Sequence, residues 1–217
     1  MRKQVIRELE NAGVRLSEEV IRETDEVMRE FSQMLMNAAG MVFGAKEMNR
    51  GAEYANALLM TAGSGKYDEE TGEWTPLSRD VYTLEIEAPE PERMYSLVLR
   101  GVEAIVEGVK FTQVEETRLE ESEESEEPEE WYGMPSDGSV RVAFLCNGHP
   151  YEVKVARVGD WFNVEFLEYV ESVLHSEGLE GKLYCIGREM DLAFLLVYGD
   201  LEKAQRLAEL TGGHLAE

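Results

Sequence analysis

The chain has 217 residues, with 21 Lys and Arg against 45 Asp and Glu, and a formal charge of −24. Hydrophobic residues make up 43% and charged residues 30%, a globular composition long enough for one or two domains with a sizeable core. The charge argues against binding DNA or RNA through phosphates, which needs clustered Lys and Arg, and against docking on an anionic membrane surface.

Met1-Arg2-Lys3 opens a charged helical pattern and leads into no apolar secretory segment. No apolar run reaches the ~18 residues of a membrane span. Two cysteines, Cys146 and Cys185, are too few for a disulfide framework. A reduced, cytoplasmic protein is the expectation.

Residues 1–62 read as helices. Val5, Ile6 and Leu9 form a short apolar stripe, and Gly13 suits a left-handed cap. Ser17 suits an N-cap, with Glu18 and Glu19 at the positive end of the following helix. From Val20 to Leu35 apolar residues recur mostly at three- and four-residue steps, which predicts an amphipathic helix to about Ala39. Ala45 to Ala62 repeats the pattern through Met48, Ala52, Ala55, Leu58 and Leu59, with Tyr54 at the edge of that face. The apolar connection Gly40-Met41-Val42-Phe43-Gly44 joins the two stretches into an expected antiparallel pair.

Residues 63–118 read as a small hairpin followed by a β-α-β unit. Lys66-Tyr67 and Trp74-Thr75 flank an acidic tip. Tyr82, Leu84 and Ile86 alternate with Thr83, Glu85 and Glu87, as in a half-buried strand. Pro89 and Pro91 suit a helix start, and Met94, Leu97, Val98, Val102, Ile105 and Val106 trace one helical face that Gly108 ends. Val109 to Val114 is the candidate second strand, right-handed in its crossover if parallel to the first.

Residues 115–130 carry ten acids and one base, net −9. So little apolar surface does not offset the entropy of ordering, so a solvated linker or loop is expected, bounded at 119–137.

Residues 138–217 predict the order β-β-α-β-β-α. Asn147-Gly148 is the preferred pair for a two-residue type I′ turn. That turn places Cys146 opposite His149, Phe144 opposite Tyr151, Val142 opposite Val153 and Val140 opposite Val155. Pro150 then falls opposite Leu145, which favours a free edge there. Arg141 meets Lys154, a like-charge pair with Glu152 on the diagonal. Asn163 caps a helix with Phe166, Leu167, Val170, Val173 and Leu174 on its buried face. Leu183–Ile186 and Leu192–Tyr198 read as strands, the second covered on both faces because it lacks alternation. Asp200 caps a last helix that Gly212 and Gly213 stop. The fold class is α+β: an N-terminal helical pair, then an antiparallel or mixed sheet packed against helices.

Known chemical motifs are missing. Gly65-Lys66 is followed by Tyr67, so the phosphate-loop pattern fails. No G-x-S-x-G elbow, H-E-x-x-H pair or EF-hand spacing occurs. Cys146, His149, His175 and Cys185 are zinc-type ligands, yet Cys146 and both histidines have ordinary structural readings. No cofactor, metal or catalytic residue is expected. Arg93, Arg100 and Arg157 are candidate anion contacts that solvated helix and strand faces explain equally well.

Two features point to partners. Met28, Met34, Met36, Met41, Met48 and Met60 crowd the nearly neutral N-terminal region, as core filler or as an adaptable self-association surface. The acidic run ends at two aromatics. Glu120, Glu121, Glu123, Glu124, Glu126, Glu127, Glu129, Glu130, Trp131 and Tyr132 form an expected contact set for a basic protein: carboxylates steer and aromatics anchor. The expectation is therefore a non-enzymatic acidic binding protein, with an inhibitor or immunity protein as its concrete form. The alternatives are a scaffold that self-associates through the N-terminal helices, and a small-ligand binder or enzyme with a cleft between sheet and helices.

Overall fold

The computed structural model describes residues 1–38, 50–68, 70–71, 73–87, 92–119, 130–131, 134–135, 138–157, 159–188 and 192–216. The first helix, α1 (Arg2–Asn11), buries Val5 and Leu9. It closes on Gly13 at φ +85, where Gly13 N–H donates to Glu10 O and Val14 N–H donates to Leu9 O, each at 3.0 Å. This paired closure satisfies carbonyls that the helix end would leave open. Helix α2 (Glu18–Ala38) starts on Ser17, whose Oγ accepts the Val20 N–H at 3.2 Å. Helix α3 (Arg50–Ser64) buries Ala52, Tyr54, Ala55, Leu58 and Leu59. Tyr54 thus lies inside the face and not at its edge, and its hydroxyl donates to Asp25 of α2 at 2.9 Å. The expected connection at 40–44, and residues 45–49 of the second stretch, lie outside the described residues.

The chain continues through β1 (Lys66–Tyr67), β2 (Trp74–Thr75), β3 (Tyr82–Glu85), α4 (Met94–Ile105), β4 (Phe111–Leu119), β5 (Glu130–Trp131) and β6 (Met134–Pro135). It ends with β7 (Ser139–Cys146), β8 (His149–Ala156), α5 (Glu165–Ser176), β9 (Lys182–Gly187), β10 (Ala193–Gly199), α6 (Leu201–Thr211) and β11 (His214–Leu215). The protein is α+β, with a four-stranded sheet ordered β11-β9-β10-β3 and a three-stranded sheet ordered β4-β7-β8. Every pairing in them is antiparallel. The final strand β11 follows the glycine stop of α6 and has no counterpart in the sequence reading.

The four-stranded sheet is the middle layer. Val81, Ile186, Leu195 and Val197 face α1, α2, α3 and α6. Tyr82, Leu84 and Leu196 face α4, α5 and the three-stranded sheet. Coverage on both sides explains the unbroken apolar run of β10, where Leu195, Leu196 and Val197 are all at most 1% exposed.

Two expectations change here. Strand β3 reads as half-buried, yet Thr83 is buried along with Tyr82 and Leu84. The cause is close helix approach on both faces. A Cβ at Gly63 of α3 would lie 2.6 Å from Thr83 N, and one at Gly101 of α4 would lie 2.5 Å from the Tyr82 ring. Thr83 keeps its hydroxyl satisfied by donating to Met60 O at 3.0 Å. The second change concerns the β-α-β unit: β3 and β4 belong to different sheets. Strand β4 pairs instead with β7, and it runs on through 115–119, which the sequence assigns to the solvated segment. An edge strand needs only one covered face, so an acidic composition does not forbid it.

The β7–β8 hairpin has the register that its turn dictates, including Leu145 opposite Pro150 and Arg141 opposite Lys154. Asn147 (φ +50) and Gly148 (φ +89) both take the left-handed conformation of a type I′ turn. Arg141 resolves its like-charge neighbour through Glu152, at 2.6 Å.

Candidate functional site

The acidic segment is the connection of one hairpin. Leu119 and Ser139 are ladder partners at the open end of β4 and β7, so residues 120–138 leave and return at one point. Gly138 seals that base: its φ is +119, and a Cβ there would meet Leu119 O at 2.9 Å. Gly138 O also accepts the Arg157 N–H at 2.9 Å, which ties the base to the end of β8. Within the excursion, Glu130 pairs with Pro135 and Trp131 with Met134 in a second, shorter ladder. Glu130 and Trp131 thus share β5. Glu120, Glu121, Glu123, Glu124, Glu126, Glu127, Glu129 and Tyr132 lie outside the described residues.

Strand β4 also carries a half-buried carboxylate, Glu116. Helix α4 has no side-chain cap of its own at Arg93. Glu116 supplies one from the sheet: its carboxylate accepts the Ser96 N–H at 2.6 Å, the Ser96 hydroxyl at 2.5 Å and the Tyr95 N–H at 3.4 Å. Burial pushes the Glu116 carboxyl above the usual carboxylate range, against the pull of these donors.

An open cleft of about 1130 Å³ lies between the C-terminal end of α4, the start of β4, the approach to β3 and the loop before α2. Its lining holds Arg15, Arg79, Arg100, Lys110 and Lys203 against Glu73, Asp80, Glu103 and Glu107. Bases therefore outnumber acids in the cleft, though the chain as a whole has 21 bases and 45 acids. Two of the five are spoken for. Arg15 grips the buried Asp80 with Nε at 3.2 Å and Nη2 at 3.1 Å, and its backbone N–H adds a third contact at 2.9 Å. Lys110 meets Glu103 at 2.5 Å, and the same carboxylate accepts the Phe111 N–H at 2.9 Å. A second hollow, about 440 Å³, continues along α4 and β4 and shares Arg100, Phe111 and Thr112 with the first.

The thiols and histidines read off the sequence do not converge. Cys146 is buried, and burial pushes its thiol up to about 11. Cys185 is on the other sheet, and burial raises its thiol to about 12. Such thiols stay protonated at neutral pH and are poor nucleophiles. His149 does stand opposite Cys146, but its Nδ1 lies 2.9 Å from Glu177, which also accepts the Tyr151 hydroxyl at 2.7 Å. These two contacts, Tyr151 first, hold the Glu177 carboxyl below its usual range. Among the described residues no three His, Cys, Asp or Glu side chains have metal-ligand spacing.

Of the three arginines singled out as anion candidates, Arg93 and Arg100 line the smaller hollow, and Arg157 does not. Sequence reasoning missed Arg79 and Lys203. No local pattern links either one to Arg100, since tertiary packing alone brings them to one cleft. Met28 and Met60 pack against the helical core, as filler does. Among the described residues no helix is long and apolar enough to cross a membrane. Compared with family models, curated proteins and solved structures, the chain matches none of them.

Proposed function

We propose that this is a non-enzymatic acidic binding protein of the cytoplasm, and that its β4–β7 loop engages a basic protein partner. The observation that carries the reading is the closure of the acidic segment on the Leu119–Ser139 pair. Residues 120–130 hold eight glutamates and no base. A hairpin with a sealed base presents that charge from a fixed point on the fold. Opposite fields then steer encounter, and aromatic residues such as Trp131 and Tyr132 supply buried area once contact is made. An inhibitor or immunity protein that covers the positive cleft of a nuclease-like toxin is the concrete form. That step rests on charge and size.

The test is capture from the source lysate at low salt with two baits, the full chain and a variant lacking residues 120–130. Leu119 and Ser139 stay in place in the variant, and residues 131–138 remain to close the hairpin. The full chain is expected to retain a basic protein that is released at high salt, and the variant to retain much less. Capture of no basic protein at low salt, or equal capture by both baits, overturns the reading.

A further inference from the structure

We propose that the larger cleft, at the C-terminal end of α4 and the start of β4, binds a small multivalent anion, of the diphosphate or tricarboxylate kind, through Arg79 and Arg100. The argument starts from pairing. In a chain with more than two acids per base, cations readily find carboxylates, as Arg15, Lys66, Lys110 and Arg141 do. Arg79 and Arg100 are exposed, and among the described residues neither has a carboxylate at salt-bridge distance. Both line the larger hollow, and Arg100 stands where the two hollows meet. The Lys203 ammonium lines the same cleft, and its hydrogen-bond acceptor there is the Tyr198 carbonyl at 3.5 Å.

A second, independent observation falls at the same place. Strand β4 slips register between Thr112 and Glu115, and Gln113 in that bulge has φ +52. A glutamine rarely takes the left-handed conformation, and bulges and strained residues gather beside binding sites. Thr112 lines both hollows and Gln113 the smaller one, so the strain sits on the wall that faces Arg100.

The chemistry of the lining sets the class of ligand. In the larger hollow Asp80 and Glu103 neutralise Arg15 and Lys110, which leaves Arg79, Arg100 and Lys203 there against Glu73 and Glu107. A single negative charge gains little there against two nearby carboxylates. An anion with two or more charges engages both planar guanidinium forks, which match phosphate and carboxylate oxygens alike. No described residue of the acidic loop lines this site, which does not depend on the partner-binding reading.

Calorimetric titration of the full chain with sodium pyrophosphate, and separately with sodium citrate, tests the proposal. One saturable site is expected for at least one anion, and which anion binds tells a phosphoryl from a carboxylate ligand. Arg79→Ala and Arg100→Ala are each expected to weaken binding about tenfold, the loss of one charge-assisted contact. Both side chains are exposed and have no carboxylate partner among the described residues, so the variants should keep the wild-type unfolding transition, which is checked first. Lys154→Ala, which removes an exposed cation on β8, and the variant lacking residues 120–130 are expected to bind as wild type. No saturable binding of either anion at millimolar concentration overturns the proposal. So does binding that survives both arginine substitutions, or that Lys154→Ala weakens equally.

Discussion

Glu116 offers the sharpest test of how β4 and α4 are joined. Replacing it with alanine removes the acceptor for the Ser96 N–H at 2.6 Å and the Ser96 hydroxyl at 2.5 Å. The helix start then has no side-chain cap, since Arg93 provides none. A lost cap costs about 1 kcal/mol, and a part-buried donor left without a partner costs about 1–3 kcal/mol. Relief of the carboxylate's desolvation offsets part of this, so a net loss of about 2 kcal/mol is expected at neutral pH. Glu116→Gln keeps one acceptor oxygen and carries no charge, so it should lose about 1 kcal/mol or less. The two variants also differ from wild type in pH dependence. Burial raises the folded-state pKa of Glu116, so the folded chain binds the proton more tightly than the unfolded chain. The associated stability is present at low pH and fades as pH rises through the folded pKa. Urea unfolding from pH 4 to pH 7 should therefore show wild-type stability falling relative to Glu116→Gln as pH increases. An alanine variant within about 0.5 kcal/mol of wild type, or a difference profile of opposite slope, would refute this account of the α4 cap.

Other consequences can be measured with the same unfolding assay. Gly101→Ala improves helix propensity by about 1 kcal/mol but drives a Cβ into the Tyr82 ring. Overpacking of about 1–3 kcal/mol should win, and a stabilised variant would contradict the close approach of α4 to β3. Tyr169→Phe removes the hydroxyl that bridges the Glu152 N–H at 3.1 Å and the Glu152 carbonyl at 2.8 Å on the outer edge of β8. A loss of about 1 kcal/mol is expected, with concentration-dependent self-association in light scattering because the edge is opened. Glu177 behaves oppositely to Glu116. Its folded pKa is depressed by Tyr151 and His149, so its stabilisation is present above the ordinary carboxylate pKa and lost as pH falls. Glu177→Gln should flatten the acid limb of the stability profile, and an unchanged limb would show that these contacts contribute nothing.

Local signals explain what was legible in the sequence. Asn147-Gly148 fixed a register of eight pairs, and Asp200, whose carboxylate accepts the Lys203 N–H at 2.8 Å, began α6 as a capping residue should. The apolar stripe of α5 named its five buried residues. What failed depended on contacts remote in the chain. The partner of β4 is β7, beyond the acidic loop, so sequence adjacency to β3 misled. Thr83 is buried because glycines at 63 and 101 admit helices on both sides of β3, which alternation along four residues does not reveal. In the cleft, Arg100 was visible as a cation, but its neighbours Arg79 and Lys203 come from separate segments. The acidic segment was visible as charge. Its return to the Leu119–Ser139 pair, which makes it a loop on one hairpin, was visible only in the sheet.

The claim that this loop is the recognition element is tested most directly by rate. Association of the captured basic partner with the full chain, and with the variant lacking residues 120–130, would be followed by stopped flow over a range of salt. The loop carries eight of the chain's 45 acids at one point on the fold, so it should contribute strongly to steering. The full chain is predicted to associate fastest at low salt and to slow steeply as salt rises. The variant should be slower at low salt, with a flatter dependence, and the two should converge at high salt. Equal rates and equal salt slopes for the two proteins would contradict the claim.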